Sequence, residues 1–432
     1  MGRPSPRGSG RVGLWGAVAI GIGGMVGGGI FAVLGLSVQI AGGGAPISFL
    51  VAGLVALLTA RSYSLLSRSY PSRGGTVTFV NRAFGTGLFS GGTNVLLWLS
   101  YIVMLALYSS AFGSYASSFL PADSRGVWKR VFLTGVVLLV TVLNLAGAST
   151  VARTERIVVG IKVAILVLFV AVGLAGISTT RLAPEQWSSP VSLVAGGMII
   201  FLAYEGFELI ANAGEDVDDP GRTLTHAYYI SVVFVIMLYV LIAVVAVGSL
   251  PVADLIHARD YALAEAARPA FGSAGFVMIG IAAMLSTASA INATLYGSAR
   301  LTYTIAKSRE LPAGLEQRIW NEPLEGLFIT AGSTILLANL LDLESISTMG
   351  SSGFLIIMFA VVNAAEARTA IERGSSAWAS IAAAVACTCA LAALISRSSP
   401  AGVSFLAAMI GLSFGIEAAS RWASGRALLA GD

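Results

Sequence analysis

Long apolar runs separated by short polar stretches fill the chain from Val12 to Trp422. Twelve can be delimited: Val12–Ile40, Pro46–Leu66, Gly85–Leu120, Val131–Leu145, Ile157–Gly176, Val191–Gly214, Ala227–Leu250, Gly272–Thr304, Leu324–Leu341, Ile346–Ala365, Ala377–Ile395 and Ala401–Trp422. A helix needs about 20 apolar residues to cross the hydrocarbon of a bilayer, and nearly all of these runs approach or exceed that length. The pattern predicts an all-α integral membrane protein of about 12 transmembrane helices. Between the seventh and eighth runs, Asp254–Arg268 reads as a short amphipathic helix lying on the membrane.

Composition sharpens this picture. Of 432 residues, 56% are apolar and only 11% are charged, against about 25% charged in a soluble domain. A soluble enzyme, a disordered chain and a nucleic-acid binder are thereby excluded, since a net charge of +4 spread over many loops forms no basic face. The charges also orient the helices. With the N-terminus in the cytoplasm, 18 Arg and Lys fall on the inner side and seven on the outer, with Lys162 inside a span. That asymmetry predicts a multi-pass protein of the plasma (inner) membrane with both termini cytoplasmic. The basic tail at residues 1–11 precedes an apolar run too long for a signal-peptide core. Cys387 and Cys389 lie in an apolar run with no His nearby and read as small buried hydrophobes rather than ligands. No metal site and no cofactor is expected.

Two runs break membrane rules. The first reads Gly21-Ile22-Gly23-Gly24-Met25-Val26-Gly27-Gly28-Gly29-Ile30-Phe31. Close helix packing explains Gly-x-x-x-Gly spacing but is a poor account of three consecutive glycines. An unwound segment lining a cavity explains the triplet better, because irregular backbone at membrane depth survives only there or inside protein. The sixth run reads Phe201-Leu202-Ala203-Tyr204-Glu205-Gly206-Phe207-Glu208. Each acid there would cost a few kcal/mol facing lipid, so both should face a cavity or a partner. The interruptions are five runs apart, as expected of an inverted repeat that binds its ligand between two broken helices. Amides of Gly28, Gly29 and Ile30 would form a positive helix end suited to a carboxylate. Carbonyls near Met25 and Ala203 would form a negative end suited to an ammonium. A zwitterion satisfies both, so an α-amino acid is the simplest substrate.

At these residues the chain resembles the amino acid–polyamine–organocation permeases. Gly21-x-Gly23-x3-Gly27-x-Gly29-Ile30-Phe31 is similar to that family's helix-one signature. Phe201-x-Ala203-Tyr204-Glu205-Gly206-Phe207-Glu208, followed by Glu215-Asp216-x3-Pro220-x-Arg222-Thr223, is similar to its helix-six signature. Tyr70-Pro71-x2-Gly74-Gly75, Asn144-x2-Gly147, Ser298-x-Arg300-x2-Tyr303 and Leu311-Pro312 follow the same order. The sequence departs from the family pattern at Asp218-Asp219 and at His226. The resemblance implies a leucine-transporter-type five-plus-five inverted repeat with helices one and six broken. Its first repeat would span residues 12–180 and its second 188–373. Two further helices would follow at 377–422, with a cytoplasmic tail at 423–432. It implies a substrate site at Gly24, Met25, Gly27, Gly28, Gly29, Ile30, Phe201, Ala203, Tyr204, Glu205 and Gly206.

Lys162 lies about six residues into the fifth run, roughly 9 Å deep. A lysine can snorkel from that depth. Yet the chain has 23 Arg and only three Lys, and a lysine, unlike an arginine, can surrender its proton when desolvated. A lysine at this point of helix five resembles that of proton-driven, sodium-independent members, where it takes the place of a sodium ion. Glu208 is expected to be an internal anchor or a second coupling acid. Ser286, Thr287 and Ser289 are candidates for lining the site, whereas Tyr101 and Tyr108 read as packing. Asp218-Asp219-Pro220 is expected to cap the helix leading into the seventh run, and Glu417 to be paired or near an interface. The expected function is secondary active uptake of an amino acid by alternating access, driven by protons, with the bilayer as surroundings. An amino acid or polyamine exchanger and a non-transporting amino acid sensor on the same fold are the alternatives. No catalytic cluster supports an enzyme.

Overall fold

In the computed structural model, residues 12–72, 74–145, 148–215, 217, 219–307, 324–341 and 352–424 are described. The expected tail at 1–11, most of that at 423–432, Leu311-Pro312, Asp216, Asp218, Gly147 and the start of the tenth run lie outside them. Among the described residues there is no strand, only isolated bridges such as Gly42 with Trp187. The helices are α1 Leu14–Met25, α2 Gly29–Ala41, α3 Ala45–Ser69, α4 Gly75–Phe84, α5 Leu88–Ser118, α6 Arg125–Leu145 and α7 Ala148–Gly173. They continue as α8 Pro190–Ile199, α9 Leu209–Asn212, α10 Pro220–Ser249, α11 Val252–Ala258, α12 Ala262–Ala266 and α13 Arg268–Lys307. The last are α14 Leu324–Leu340, α15 Phe354–Glu372, α16 Trp378–Ser396 and α17 Pro400–Ser424.

Among the described residues nine helices are long and apolar enough to cross a membrane, or eleven if each of two bent pairs counts as one span. A shorter apolar helix, Glu325–Leu340, occupies the ninth expected run. Helix boundaries and hydrocarbon boundaries differ. α6 begins at Arg125 and α10 at Pro220, each ahead of its apolar run, because polar first turns are as helical as apolar ones. Pro46, Pro190 and Pro220 fall in first turns, where a missing N–H costs nothing. α4 was not expected from hydropathy. It is short and amphipathic, burying Val77, Val80 and Ala83 on one face.

Position in the bundle follows from burial. α5 is 89% buried over its most apolar window, whereas α17 is 17% buried and forms the rim. Between helices in lipid, close packing and hydrogen bonds act in place of the hydrophobic effect. α5 accordingly meets α17 through Gly91 and Gly92, whose added Cβ atoms would strike Glu417 and Phe414. Glu417 is paired with Arg421 at 2.5 Å, both buried, and Arg421 also donates to the Thr86 carbonyl.

Three expectations are corrected here. Asp254–Arg268 is not a helix lying on the membrane. Leu255, Ala258, Ala262, Leu263, Ala264 and Ala266 are buried, and the Arg259 carbonyl packs on Gly35 of α2. Arg259, at φ 24°, turns the chain between α11 and α12, and that turn folds the segment onto α2 and α5. Of the expected Asp218-Asp219-Pro220 cap, Asp218 lies outside the described residues; Asp219 stands at the N-cap of α10 at φ 46° and accepts from the Arg222 and Thr223 amides through its carbonyl, but its side chain makes no cap bond. Cys387 is buried and bonded to Asn363 and Thr59, but Cys389 is exposed. Two residues on along a helix turns a side chain by roughly half a circle.

Candidate functional site

Both glycine-rich runs are interrupted helices. α1 ends at Met25 and α2 starts at Gly29, with a 47° bend between them. α8 ends at Ile199, a single tight turn covers Phe201–Tyr204, and the axis bends by 51°. Glu205 is extended at φ −66° and ψ 149°, and Gly206 lies at φ 118°. A side chain is strained at such a φ, which accounts for glycine there.

The two breaks cross in direct backbone contact. A Cβ on Gly24 would lie 2.7 Å from the Gly206 carbonyl oxygen, and one on Gly29 2.6 Å from Ala203 Cα. A Cβ on Gly206 would collide with the Gly24 backbone. Gly28 faces the Tyr108 ring and lies 3.1 Å, measured from its added Cβ, from Thr287. The glycines therefore serve close packing and interruption together. Packing and unwinding, opposed in sequence, are the same feature here.

Interrupting α1 frees carbonyls, and neighbouring helices hold them. Lys162 Nζ of α7 donates to the Gly23 carbonyl at 3.1 Å. The Tyr239 hydroxyl of α10 donates to Met25 at 2.6 Å. Ser286 Oγ of α13 reaches the carbonyls of Val26 and Gly27 at 3.0 and 2.8 Å. Farther along, Tyr115 donates to Phe31 and Ser231 to Val18. Four different helices thus fix the backbone of the first broken helix. The initial amides of α2, by contrast, have no carbonyl of their own helix to bond, as at any helix start. They give the break a positive end.

Lys162 is 1% exposed. It runs inward to the break and does not snorkel. Ser286 lies at the break, whereas the Thr287 hydroxyl bonds back to Ala283 and Met284 of its own helix. Tyr108, expected as packing, sits against Gly28. Tyr239 carried no signal beyond one hydroxyl in an apolar helix.

Side chains of the second break divide into two groups. Phe201 and Tyr204 are wholly buried. Phe201 packs edge-on against Phe359, and the Tyr204 hydroxyl donates to Phe49 of α3 at 2.8 Å. Those two side chains anchor the break to the bundle, leaving their backbone as the part that borders the crossing. Glu205 and Glu208, each 6% exposed, behave differently. Glu208 Oε2 accepts from the Gly206 amide at 2.7 Å. Glu205 Oε2 is buried without a hydrogen-bond partner. Among the described residues no group of His, Cys, Asp and Glu could hold a metal ion.

A cavity of about 720 Å³ lies elsewhere, between α5, α6, α14 and the α11–α12 connection. Lys129 and Asp260 bridge it at 2.8 Å, and Ser114 donates to the same carboxylate at 3.0 Å.

Comparison with known proteins gives this arrangement its context. The profile of a family described as amino acid permease matches residues 12–414. An uncharacterized protein of Methanocaldococcus jannaschii is 36% identical over 82% of this chain and 81% of its own. The inner membrane transport protein YbaT of Escherichia coli is 33% identical over 84% of each chain. The branched-chain amino acid permease BcaP of Bacillus subtilis is 25% identical over 82% of this chain and 80% of its own. Two interrupted, crossing helices in an all-helical bundle, together with a family match over nearly the whole chain, make this a multi-pass membrane transport protein that belongs to the amino acid permease family.

Proposed function

We propose that the protein is a secondary active amino acid transporter that works by alternating access, with uptake coupled to protons through Lys162. The observation that carries this is the crossing of the two breaks at Gly24 and Gly206, one residue from the carbonyl that Lys162 holds. The substrate lies at that crossing, its carboxylate on the amides of Gly28, Gly29 and Ile30 and its ammonium on carbonyls of the second break. Gly24, Met25, Gly27, Phe201, Ala203, Tyr204, Glu205 and Gly206 complete the surround. The printed name of BcaP supports an amino acid as cargo.

Charged, the Lys162 ammonium ties α7 to the Gly23 carbonyl and fills a cation-sized position beside the break. Neutral, it loosens that tie, and α1 is free to rock against the bundle. Glu208, held on Gly206, ties the second break in the same way and is the further candidate for a moving proton. The repeats divide the chain at 12–180 and 188–373, with both termini cytoplasmic. Proteoliposomes tested with a panel of labelled amino acids decide the matter. Saturable uptake of at least one member, raised by an inward proton gradient and indifferent to sodium, is expected. Saturable binding without flux would make the protein a sensor, and sodium-dependent uptake would remove Lys162 from coupling.

A further inference from the structure

Glu205 is the buried acid of the substrate surround that takes no part in the coupling described above. The residue is 6% exposed, and one carboxylate oxygen is buried without a hydrogen-bond partner. Among the described residues no lysine, arginine or histidine forms an ion pair with either Glu205 or Glu208. Glu208 is committed to the Gly206 amide. Glu205 has no such tie, because its own extended backbone carries its side chain off the line of the helix.

Its neighbours locate the carboxylate along the site. Glu205 directly precedes Gly206, whose backbone meets Gly24 of the first break. Tyr108 of α5 marks the α-carboxylate end, since its ring lies against Gly28. Glu205, beside the Gly24–Gly206 crossing, borders the site where a substrate side chain would lie.

Charge balance then points to the substrate class. A zwitterionic amino acid brings no net charge, and its two termini are met by backbone. It would leave the Glu205 carboxylate uncompensated in a dry site, where an unpaired charge is costly. A second ammonium on the substrate would meet the open oxygen in a charge-assisted hydrogen bond. An acidic side chain would meet like charge from two carboxylates.

We propose that Glu205 is the specificity-determining residue of the site and selects basic amino acids, those with an ammonium at the end of an aliphatic side chain, over neutral and acidic ones. This rests on the placement of the substrate between the two breaks. Lysine and norleucine share a four-carbon stem and differ by the terminal ammonium, so their affinity ratio isolates the contact. In the full-length protein in lipid nanodiscs, lysine is expected to bind about ten- to hundredfold more tightly than norleucine, the size of a hydrogen bond to a charged group. Glutamate is expected to compete with neither. Glu205→Gln should bring the ratio close to one, and Glu372→Gln, at an exposed acid of α15 paired with Arg368, should keep the preference. Norleucine binding as tightly as lysine in the wild type, or an unchanged ratio in Glu205→Gln, overturns the inference alone. Failure of every amino acid to bind the wild type overturns it together with the transport function on which it rests.

Discussion

Removing one oxygen atom from Tyr239 tests whether the shape of the first break depends on bonds from neighbouring helices. The hydroxyl donates to the Met25 carbonyl at 2.6 Å, and both residues are buried. Met25 is the last residue of α1, so no following turn of its own helix takes that carbonyl. Tyr239→Phe keeps the ring against Phe49 and Tyr204, with centroids at 6.2 and 5.3 Å. Only the hydrogen bond goes. Hydrogen bonds between membrane helices contribute about 0.6 kcal/mol on average and up to about 1.7. At the end of a helix that must bend in place, the upper part of that range applies, and about 1 kcal/mol corresponds to roughly fivefold in affinity. The assay is equilibrium binding of the best substrate, with thermal unfolding in detergent alongside. Tyr228→Phe is the control. It sits three turns earlier on α10, and its hydroxyl bonds the Ser67 hydroxyl at 3.0 Å rather than a carbonyl of the first break. Tyr239→Phe should weaken binding about fivefold and Tyr228→Phe should not, although both lower stability. Unchanged affinity in Tyr239→Phe, or equal loss in both variants, would refute the idea that the carbonyl clamp shapes the site.

Gly24→Ala places a methyl 2.7 Å from a backbone oxygen that cannot swing aside; it should cost about 1–3 kcal/mol and abolish uptake. Gly160→Ala, with nothing within 4 Å of its added Cβ, should melt no lower than the wild type, and a comparison of the two melting curves checks both statements. Glu417→Gln removes the charge from the buried Glu417–Arg421 pair and should destabilise by about 3–5 kcal/mol, whereas Glu417→Leu with Arg421→Met should recover most of that loss. A double variant as unstable as Glu417→Gln would contradict that account. Asp260→Asn removes the Lys129 ion pair but keeps an acceptor for Ser114. Since both side chains are over a quarter exposed, labelling of a cysteine placed at Ser110 should rise only slightly, within about 1 kcal/mol of the opening equilibrium.

Much of the architecture was legible because lipid imposes simple rules. Glycine triplets and acids inside apolar runs are costly there, so Gly27–Gly29 and Glu205–Glu208 stood out, and both runs are interrupted helices in the structure. Lys162 stood out by depth and by the scarcity of lysine. What stayed hidden were groups that look ordinary on their own helices. Tyr239, Ser231 and Tyr115 are single hydroxyls in apolar stretches, and their role appears only when the backbone of α1 and α2 is brought to them. The contact of Gly24 with Gly206 joins residues 182 positions apart, and no local pattern encodes such a pairing. α4 was missed because its period is amphipathic rather than apolar. The α11–α12 segment was misplaced because burial against protein and burial against lipid give the same alternation of apolar and polar residues.

The central claim is that a proton moves with the substrate and that Lys162 links the two. A pH-sensitive dye trapped inside proteoliposomes reads this directly when substrate is added outside, with membrane potential clamped and sodium absent. In the wild type the lumen should acidify in step with labelled substrate uptake. In Lys162→Ala, where no ammonium holds the Gly23 carbonyl, any remaining uptake should proceed without acidification. Lys162→Arg, permanently charged, should stop net uptake. Substrate entry without acidification in the wild type, or acidification that persists in Lys162→Ala, would contradict the account and leave Lys162 as a structural pin between α7 and the break.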